Sequence, residues 1–210
     1  MIRILVADDH TVVREGIKQI LSGQDDMDVA GEAANGQEVL SKIKKETYDL
    51  ILLDISMPGR NGLEILKEIK AMEPRLPVLI LSMHPEEQYA VRMLRAGAAG
   101  YLTKASAPQE LIRAIQKVSA GGKYVTTSLA EKLAFELDGG AEKPRHEMLS
   151  NREYQVMLML ASGQTVSEVA EELCLSAKTI TTYRTRILEK MNMKKNAELT
   201  LYAVKNNLIL

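Results

Sequence analysis

Apolar and polar positions follow two regimes along the chain. Up to about residue 123, short apolar runs alternate with amphipathic stretches, and the alternation repeats five times. The runs are Ile4 to Ala7, Val29 to Ala33, Leu50 to Leu53, Val78 to Leu81 and Ala99 to Leu102. The third and fourth are apolar throughout, the pattern of central strands buried on both faces of a parallel sheet. Between the runs the spacing is helical, as in Val12, Val13, Ile17, Ile20 and Leu21, and again in Leu63, Ile65, Leu66 and Ile69. Pro58, Pro74, Pro77, Pro108 and an Asn35-Gly36 turn punctuate the series. The pattern predicts an α/β fold of flavodoxin-like (βα)5 type, a parallel sheet covered by helices on both sides.

Beyond Lys123 the pattern changes. A short helical stretch, Leu129 to Leu137, leads into Asp138 to Arg145, which reads as a solvated linker. From Leu149 the spacing is helical only. Ser150-Asn151-Arg152-Glu153 and Thr165-Val166-Ser167-Glu168 both fit the capping box, in which a hydroxyl and a carboxylate satisfy orphan amides at a helix start. Ser176 caps a third helix, and Asn196 or a neighbour opens a fourth. The expected organisation is therefore an α/β domain over 1–123, a helical segment and linker over 124–146, and an all-α four-helix domain over 147–210.

Composition narrows the function classes. The 210 residues hold 27 Lys+Arg and 28 Asp+Glu, a net charge of −1, which argues against a chain-wide polyelectrolyte. No stretch approaches the ~20 apolar residues of a transmembrane helix, and the first apolar run is too short for a signal peptide; a cytoplasmic, membrane-free protein is expected. The one cysteine, Cys174, has no internal partner and is expected to be a buried small hydrophobe.

Strand ends carry the chemistry of such a fold, because ligands bind outside the carboxyl ends of parallel strands. Asp8 and Asp9 end the first strand, Asp54 the third and Ser82 the fourth, and Lys104 follows the fifth. A parallel sheet brings all five to one rim. Three carboxylates there need a cation, and an all-oxygen donor set suits Mg²⁺ better than Zn²⁺. A metal beside a carboxylate, a hydroxyl and an ammonium suits phosphoryl transfer, with Asp54 the nucleophile and Ser82 and Lys104 binding the phosphoryl oxygens. A Mg²⁺-dependent phosphatase would use the same carboxylates, but the short βα loops leave little for a substrate pocket.

These segments resemble a response-regulator receiver domain: Val6-Ala7-Asp8-Asp9-His10, Leu53 to Gly59 around Asp54, Leu81-Ser82-Met83-His84, and Gly97 to Lys104. The resemblance implies that Asp54 accepts a phosphoryl group from a histidine kinase. It implies that Asp9, Asp54 and the Ser56 carbonyl hold Mg²⁺, with Asp8 acting mainly through metal-bound water. It also implies that Ser82 and Tyr101 form a two-state switch in which Tyr101 swings inward. Ser56 and His84 occupy positions that often tune hydrolysis in this family. One departure is Ala105 after Lys104, where many receivers carry a proline and a cis peptide; a cis bond without proline costs about 3 kcal/mol.

Charge in the C-terminal region is local. Lys178, Arg184, Arg186, Lys190, Lys194 and Lys195 against Glu189 give +5 over 178–195, the field a DNA backbone rewards. A helix at about 165–173 is joined to this basic helix by the short Cys174-Leu175-Ser176 turn, as in helix-turn-helix units. On a helical wheel Ile180, Ile187 and Met191 form the packed side, flanked by Tyr183 and Leu188. The outward side carries Thr181, Thr182 and Thr185 as candidates for base edges, and Arg186 and Lys178 as candidates for phosphate or a flanking base. Thr179 and Lys190 complete the candidate DNA-contact set. Arg184 lies nearer the packed side, where it either snorkels to phosphate or pairs internally.

Leu149 to Glu153, Ala161-Ser162-Gly163, Val169-Ala170 and Leu175 to Ile180 are similar to the LuxR-type four-helix domain. Together with the receiver segments, nearly the whole chain resembles the NarL/FixJ family of response regulators, with Tyr183-Arg184-Thr185-Arg186 like its GacA/UvrY branch. The family often has Lys at the place of Thr181 and His at the place of Tyr183, departures that bear on the operator sequence. The resemblance implies a transcription regulator that dimerises on phosphorylation, binds promoter half-sites in double-stranded DNA and meets RNA polymerase. It assigns the last helix, about Asn196 to Lys205, to the dimer contact through Leu199, Tyr202 and Ala203, unless these simply pack within the domain.

Overall fold

The structure, a computed structural model, describes residues 1–57, 62–127, 129–131 and 144–209. The chain divides into two compact units, residues 1–133 and 134–210.

The first unit is a five-stranded, all-parallel sheet in the order β2-β1-β3-β4-β5. Its strands are β1 (Ile2–Ala7), β2 (Met27–Ala33), β3 (Leu50–Asp54), β4 (Val78–Ser82) and β5 (Gly100–Thr103). Helices α1 (Thr11–Leu21), α2 (Gly36–Lys45), α3 (Gly62–Met72), α4 (Glu86–Arg95) and α5 (Pro108–Ser119) alternate with them. Every residue of β3 and β4 is buried, as their unbroken apolar runs require. One side of the sheet packs Ile4, Val6, Leu52, Leu79 and Leu81 against Ile17 and Leu21 of α1 and Ile115 and Val118 of α5. Each α1 and α5 side chain in that layer sits at helical spacing, so removing one methyl-rich residue opens a cavity costing roughly 2–5 kcal/mol.

Among the described residues no peptide bond is cis, so Lys104–Ala105 is trans. The first unit continues past 123: the Tyr124 amide donates to the Ala99 carbonyl (2.8 Å) and the Lys123 ammonium to the Ala98 carbonyl (2.7 Å). The expected helix from Leu129 and the expected linker lie outside the described residues over 132–143, as do Pro58 and Gly59.

The second unit opens on a 3-10 turn (Arg145–Met148) and holds α6 (Asn151–Ala161), α7 (Val166–Glu172), α8 (Ala177–Met191) and α9 (Asn196–Lys205). Both capping boxes form, Ser150 with Glu153 and Thr165 with Glu168, and the Ser176 hydroxyl accepts from the Thr179 amide (3.1 Å). Tyr154, Met157, Val169, Ile180, Ile187 and Leu199 make the core.

The α7–α8 turn corrects the expectation for Cys174, which is exposed. The Cys174 amide reaches the Glu171 carbonyl (3.1 Å) and the Leu175 amide the Ala170 carbonyl (2.8 Å). This Schellman ending forces the intervening residue into the left-handed region, and Cys174 has φ 52°. The demand for that backbone conformation, rather than hydrophobicity, sets its surroundings. Gly163 meets the same demand after α6 with φ 95°.

Candidate functional site

The strand order puts β1 and β3 side by side at the centre of the sheet, where successive crossovers leave in opposite directions. A crevice opens there at the carboxyl ends. Asp8, Asp54 and Ser82 are buried at this rim, with at most 1% of their surface exposed. The Lys104 ammonium donates to Asp54 Oδ2 at 2.6 Å and lies 2.6 Å from Asp8 Oδ2, so one cation from the β5 end touches carboxylates from β1 and β3. The Ser56 amide donates to Asp54 Oδ1 (2.9 Å), and the His10 amide donates to Asp8 Oδ1 (2.9 Å). Arg14 on α1 fixes the backbone here: its guanidinium donates to the Asp8 carbonyl (2.7 Å) and to Glu32 on β2 (2.9 Å).

Burial pushes the Asp54 carboxyl up from its ordinary value, and the nearby Asp8 charge adds to this, against the pull of Lys104 and the Ser56 amide. Burial disfavours the Lys104 ammonium, but the two carboxylates outweigh it and hold its pKa above the usual lysine value. Asp8, Asp9, His10 and Asp54 each offer a ligand atom within 4.8 Å of the others. Among the described residues, buried Asp8 Oδ2 meets only the Lys104 ammonium and buried Asp9 Oδ1 only His10 Nδ1, at 3.0 Å. Among the described residues, three carboxylates against one ammonium leave the rim short of positive charge, and buried carboxylate oxygens with spare lone pairs are the donors a hard divalent cation takes. The residues fit Mg²⁺.

Tyr101 is fully buried, and its hydroxyl donates to the His84 carbonyl at 2.9 Å. The His84 amide in turn donates to Ser82 Oγ at 3.0 Å. The β4–α4 loop therefore bridges the rim hydroxyl to the β5 tyrosine, the pair expected to form a switch. The inward tyrosine is the position that the resemblance assigns to one of two states.

In the second unit, α8 presents Lys178, Thr181, Thr182, Thr185 and Arg186 exposed, while Ile180, Ile187, Leu188 and Met191 are buried. The Thr181, Thr182 and Thr185 hydroxyls donate to the carbonyls of Ala177 (2.9 Å), Lys178 (3.0 Å) and Thr181 (3.1 Å). Thr179 is half-buried, its hydroxyl 2.7 Å from that of Ser176 in the cap. Lys190 donates to the buried Glu153 carboxylate (2.6 Å), which ties the end of α8 to the start of α6. Arg184 resolves to internal pairing, donating to Asn196 Oδ1 (2.7 Å). Arg145 donates to the Met191 carbonyl (3.1 Å) and so closes the last turn of α8.

On α9, Leu199 and Ala203 are fully buried, and the Tyr202 hydroxyl lies 3.0 Å from His146 Nδ1. The packing alternative holds for these three. The helix instead exposes Leu201 and Val204, by 57% and 48%, two apolar side chains three residues apart on one face. Periodicity alone missed this pair because α9 is apolar on more than one side.

Residues 4–116 match the family described as response regulator receiver domain, and residues 147–203 match that of bacterial regulatory proteins, luxR family. The chain is 39% identical over 209 residues to the response regulator GacA of Pseudomonas protegens, covering 100% of this chain and 98% of that protein. It is 37% identical over 209 residues to the response regulator UvrY of Escherichia coli, covering 99% of this chain and 96% of that one. A solved structure of RcsB from Salmonella enterica serovar Typhimurium, bound to promoter rprA with phosphomimetic BeF3⁻, is similar with TM-score 0.65 and 25% identity; it covers 97% of this chain and 99% of the other. No described helix is long and apolar enough to cross a membrane. With both matches in chain order and relatives alike over their full length, the chain belongs to the response regulators that join a receiver domain to a LuxR-type DNA-binding domain.

Proposed function

We propose that Asp54 is the phosphoacceptor and that its phosphorylation by a histidine kinase favours a DNA-bound dimer. The observation that carries this is the Asp54 carboxylate, fully buried between Lys104 and the Ser56 amide at the rim where Asp8 and Asp9 converge. In the transfer, an Asp54 oxygen bonds to phosphorus, the P–N bond of the kinase phosphohistidine breaks, and the imidazole leaves with that electron pair. Asp8, Asp9 and Asp54, with the Ser56 carbonyl, would hold Mg²⁺, which when bound offsets the repulsion between nucleophile and phosphoryl oxygens. Lys104 exchanges part of its contact with Asp54 for a phosphoryl oxygen, and Ser82 donates its hydroxyl to another. The hydrogen-bonded Ser82, His84 and Tyr101 relay that rearrangement to the β4–α4 surface. Stoichiometric self-transfer and slow hydrolysis, not substrate turnover, are the chemistry of such a rim.

A protein phosphodonor finds support in the surface next to Lys104. A groove of about 360 Å³, lined by Val12, Val13, Ile17, Leu102 and Pro108, opens between α1 and the β5–α5 turn. The exposed Val12 and Met83 border it.

In the second domain, Lys178 and Arg186 contact phosphate or a flanking base, Thr181, Thr182 and Thr185 face the major groove, and the capped α8 start with Thr179 meets the backbone. Lys190 acts by holding α8 through Glu153. Leu201 and Val204 of α9 supply the dimer contact on paired promoter half-sites, from which the regulator meets RNA polymerase. The receiver then begins at residue 1 and runs past 123 to include Tyr124, 147–210 is the DNA-binding domain, and the protein acts in the cytoplasm.

A small acyl-phosphate donor with Mg²⁺ should add one phosphoryl group per chain, measured as an intact-mass gain. Asp54→Asn should remove the gain, and Asp9→Asn should raise the Mg²⁺ concentration required. An unchanged gain in Asp54→Asn sinks the assignment.

A further inference from the structure

We propose that α8 reads thymine through methyl groups rather than through hydroxyl hydrogen bonds. The inference rests on the reading of α8 as the DNA-contacting helix. A threonine can offer a base either a hydroxyl or a methyl, and only the first reads a donor or acceptor edge. In Thr181, Thr182 and Thr185 the hydroxyl proton is already committed to the carbonyl four residues earlier. That bond turns Oγ1 back along the helix barrel and leaves Cγ2 as the unengaged end of each exposed side chain. The three positions span an arc of about 100° on the helix. They form an apolar strip bordered by Lys178 and Arg186, the cations suited to phosphate.

Thymine is the base that meets such a strip best, since its C5-methyl is the apolar feature of the major groove. Cytosine N4 and adenine N6 are donors, and the Oγ1 lone pairs that could still accept from them lie back along the helix barrel rather than at the methyl end. Guanine O6 and N7 are acceptors, and the hydroxyl protons they need are spent. The three threonines therefore determine specificity by burying methyl against methyl. An operator selected by this chain should place thymine at the half-site positions under α8.

The test uses the full chain, treated with phosphodonor, and duplexes selected from a random library. Each thymine of a selected half-site is replaced singly by deoxyuridine, which deletes only the C5-methyl. Wild type should lose about fourfold in affinity at each thymine it reads, the factor implied by exposing one methyl. Thr→Val at 181, 182 or 185 keeps the methyl and should keep both affinity and sensitivity to deoxyuridine. Thr→Ser keeps the hydroxyl, should weaken binding about fourfold, and should lose the sensitivity at one thymine. Helical circular dichroism of each variant confirms folding. Hydroxyl readout would give the opposite order, with Ser tolerated and Val weakened, and would overturn the proposal. So would indifference to every deoxyuridine. Arg186→Ala and Lys178→Ala separate the two levels: loss of affinity there with no methyl effect leaves α8 as the DNA helix but refutes methyl readout. No loss in any of these variants refutes both.

Discussion

Glu153 supports α8, the helix proposed to contact DNA, through Lys190, 37 residues away, and its removal has a calculable effect. Its carboxylate is 3% exposed and accepts from both the Ser150 amide (2.7 Å) and the Lys190 ammonium (2.6 Å). A hydrogen bond to a charged group contributes about 1.5–3 kcal/mol. The Lys190 side chain is 43% exposed, so solvent screening holds its share to roughly 0.5 kcal/mol. Glu153→Ala should thus cost about 2 kcal/mol, and Glu153→Gln, which keeps an acceptor for Ser150 but no charge, about 1 kcal/mol. Hydrogen exchange of the full chain, read peptide by peptide, resolves this. The α6 and α8 amides of Glu153→Ala should exchange roughly thirtyfold faster, with receiver peptides unchanged.

The pH dependence gives a second handle. Burial pushes the Glu153 carboxyl up, but the bonds from Lys190 and Ser150 outweigh it and place its folded pKa below the ordinary 4.5. A carboxylate lowered on folding stabilises above its unfolded pKa, and the stabilisation is lost as pH falls through the folded value. The gap between wild type and Glu153→Gln should therefore be full at neutral pH and close in acid below 4.5. A gap that is equal at both ends, or exchange that rises in the receiver, would refute the reasoning.

Replacing Cys174 by glycine should stabilise the second domain, because a left-handed residue with a side chain costs about 1–2 kcal/mol. Allowing for glycine's extra chain entropy, about 1 kcal/mol should remain, a rise of roughly 4–8 °C in the melting temperature of that unit; no rise would contradict the Schellman account. Tyr101→Phe should leave phosphoryl uptake intact but shrink the phosphodonor-dependent gain in DNA affinity, as measured by anisotropy, since the hydroxyl's bond to the His84 carbonyl is lost. Leu201→Glu should abolish cooperative binding to paired half-sites while single-half-site affinity and melting temperature stay within error; equal cooperativity would remove α9 from the dimer contact.

The rim was legible in the sequence because a parallel sheet converts sequence order into geometry. Once the runs ending at Asp8, Asp54 and Ser82 are strands, their carboxyl ends must share an edge. The three helix caps were legible for a similar reason: a cap is local, and Ser150, Thr165 and Ser176 act within three residues. Bonds between distant side chains were not. Nothing in periodicity pairs Lys190 with Glu153 or Arg184 with Asn196, because a flexible cation takes whichever partner the packing brings near. The orientation of the α8 threonines was open for the same reason, since each hydroxyl has two competing uses. Cys174 misled because composition describes average surroundings, whereas its place is set by one backbone angle. On α9 the pattern supplied the helix, but its several apolar sides gave no way to tell the packed side from the one carrying Leu201 and Val204.

The central claim is that charge placed on Asp54 in one domain raises the DNA affinity of the other. The most direct measurement is the salt-dependent affinity of the full chain for a paired half-site, with and without an acyl-phosphate donor and Mg²⁺, in wild type and Asp54→Asn. The donor should strengthen binding in wild type only, with the gain proportional to the phosphorylated fraction. Equal gains in both proteins, or full phosphorylation of wild type with no gain, would contradict it.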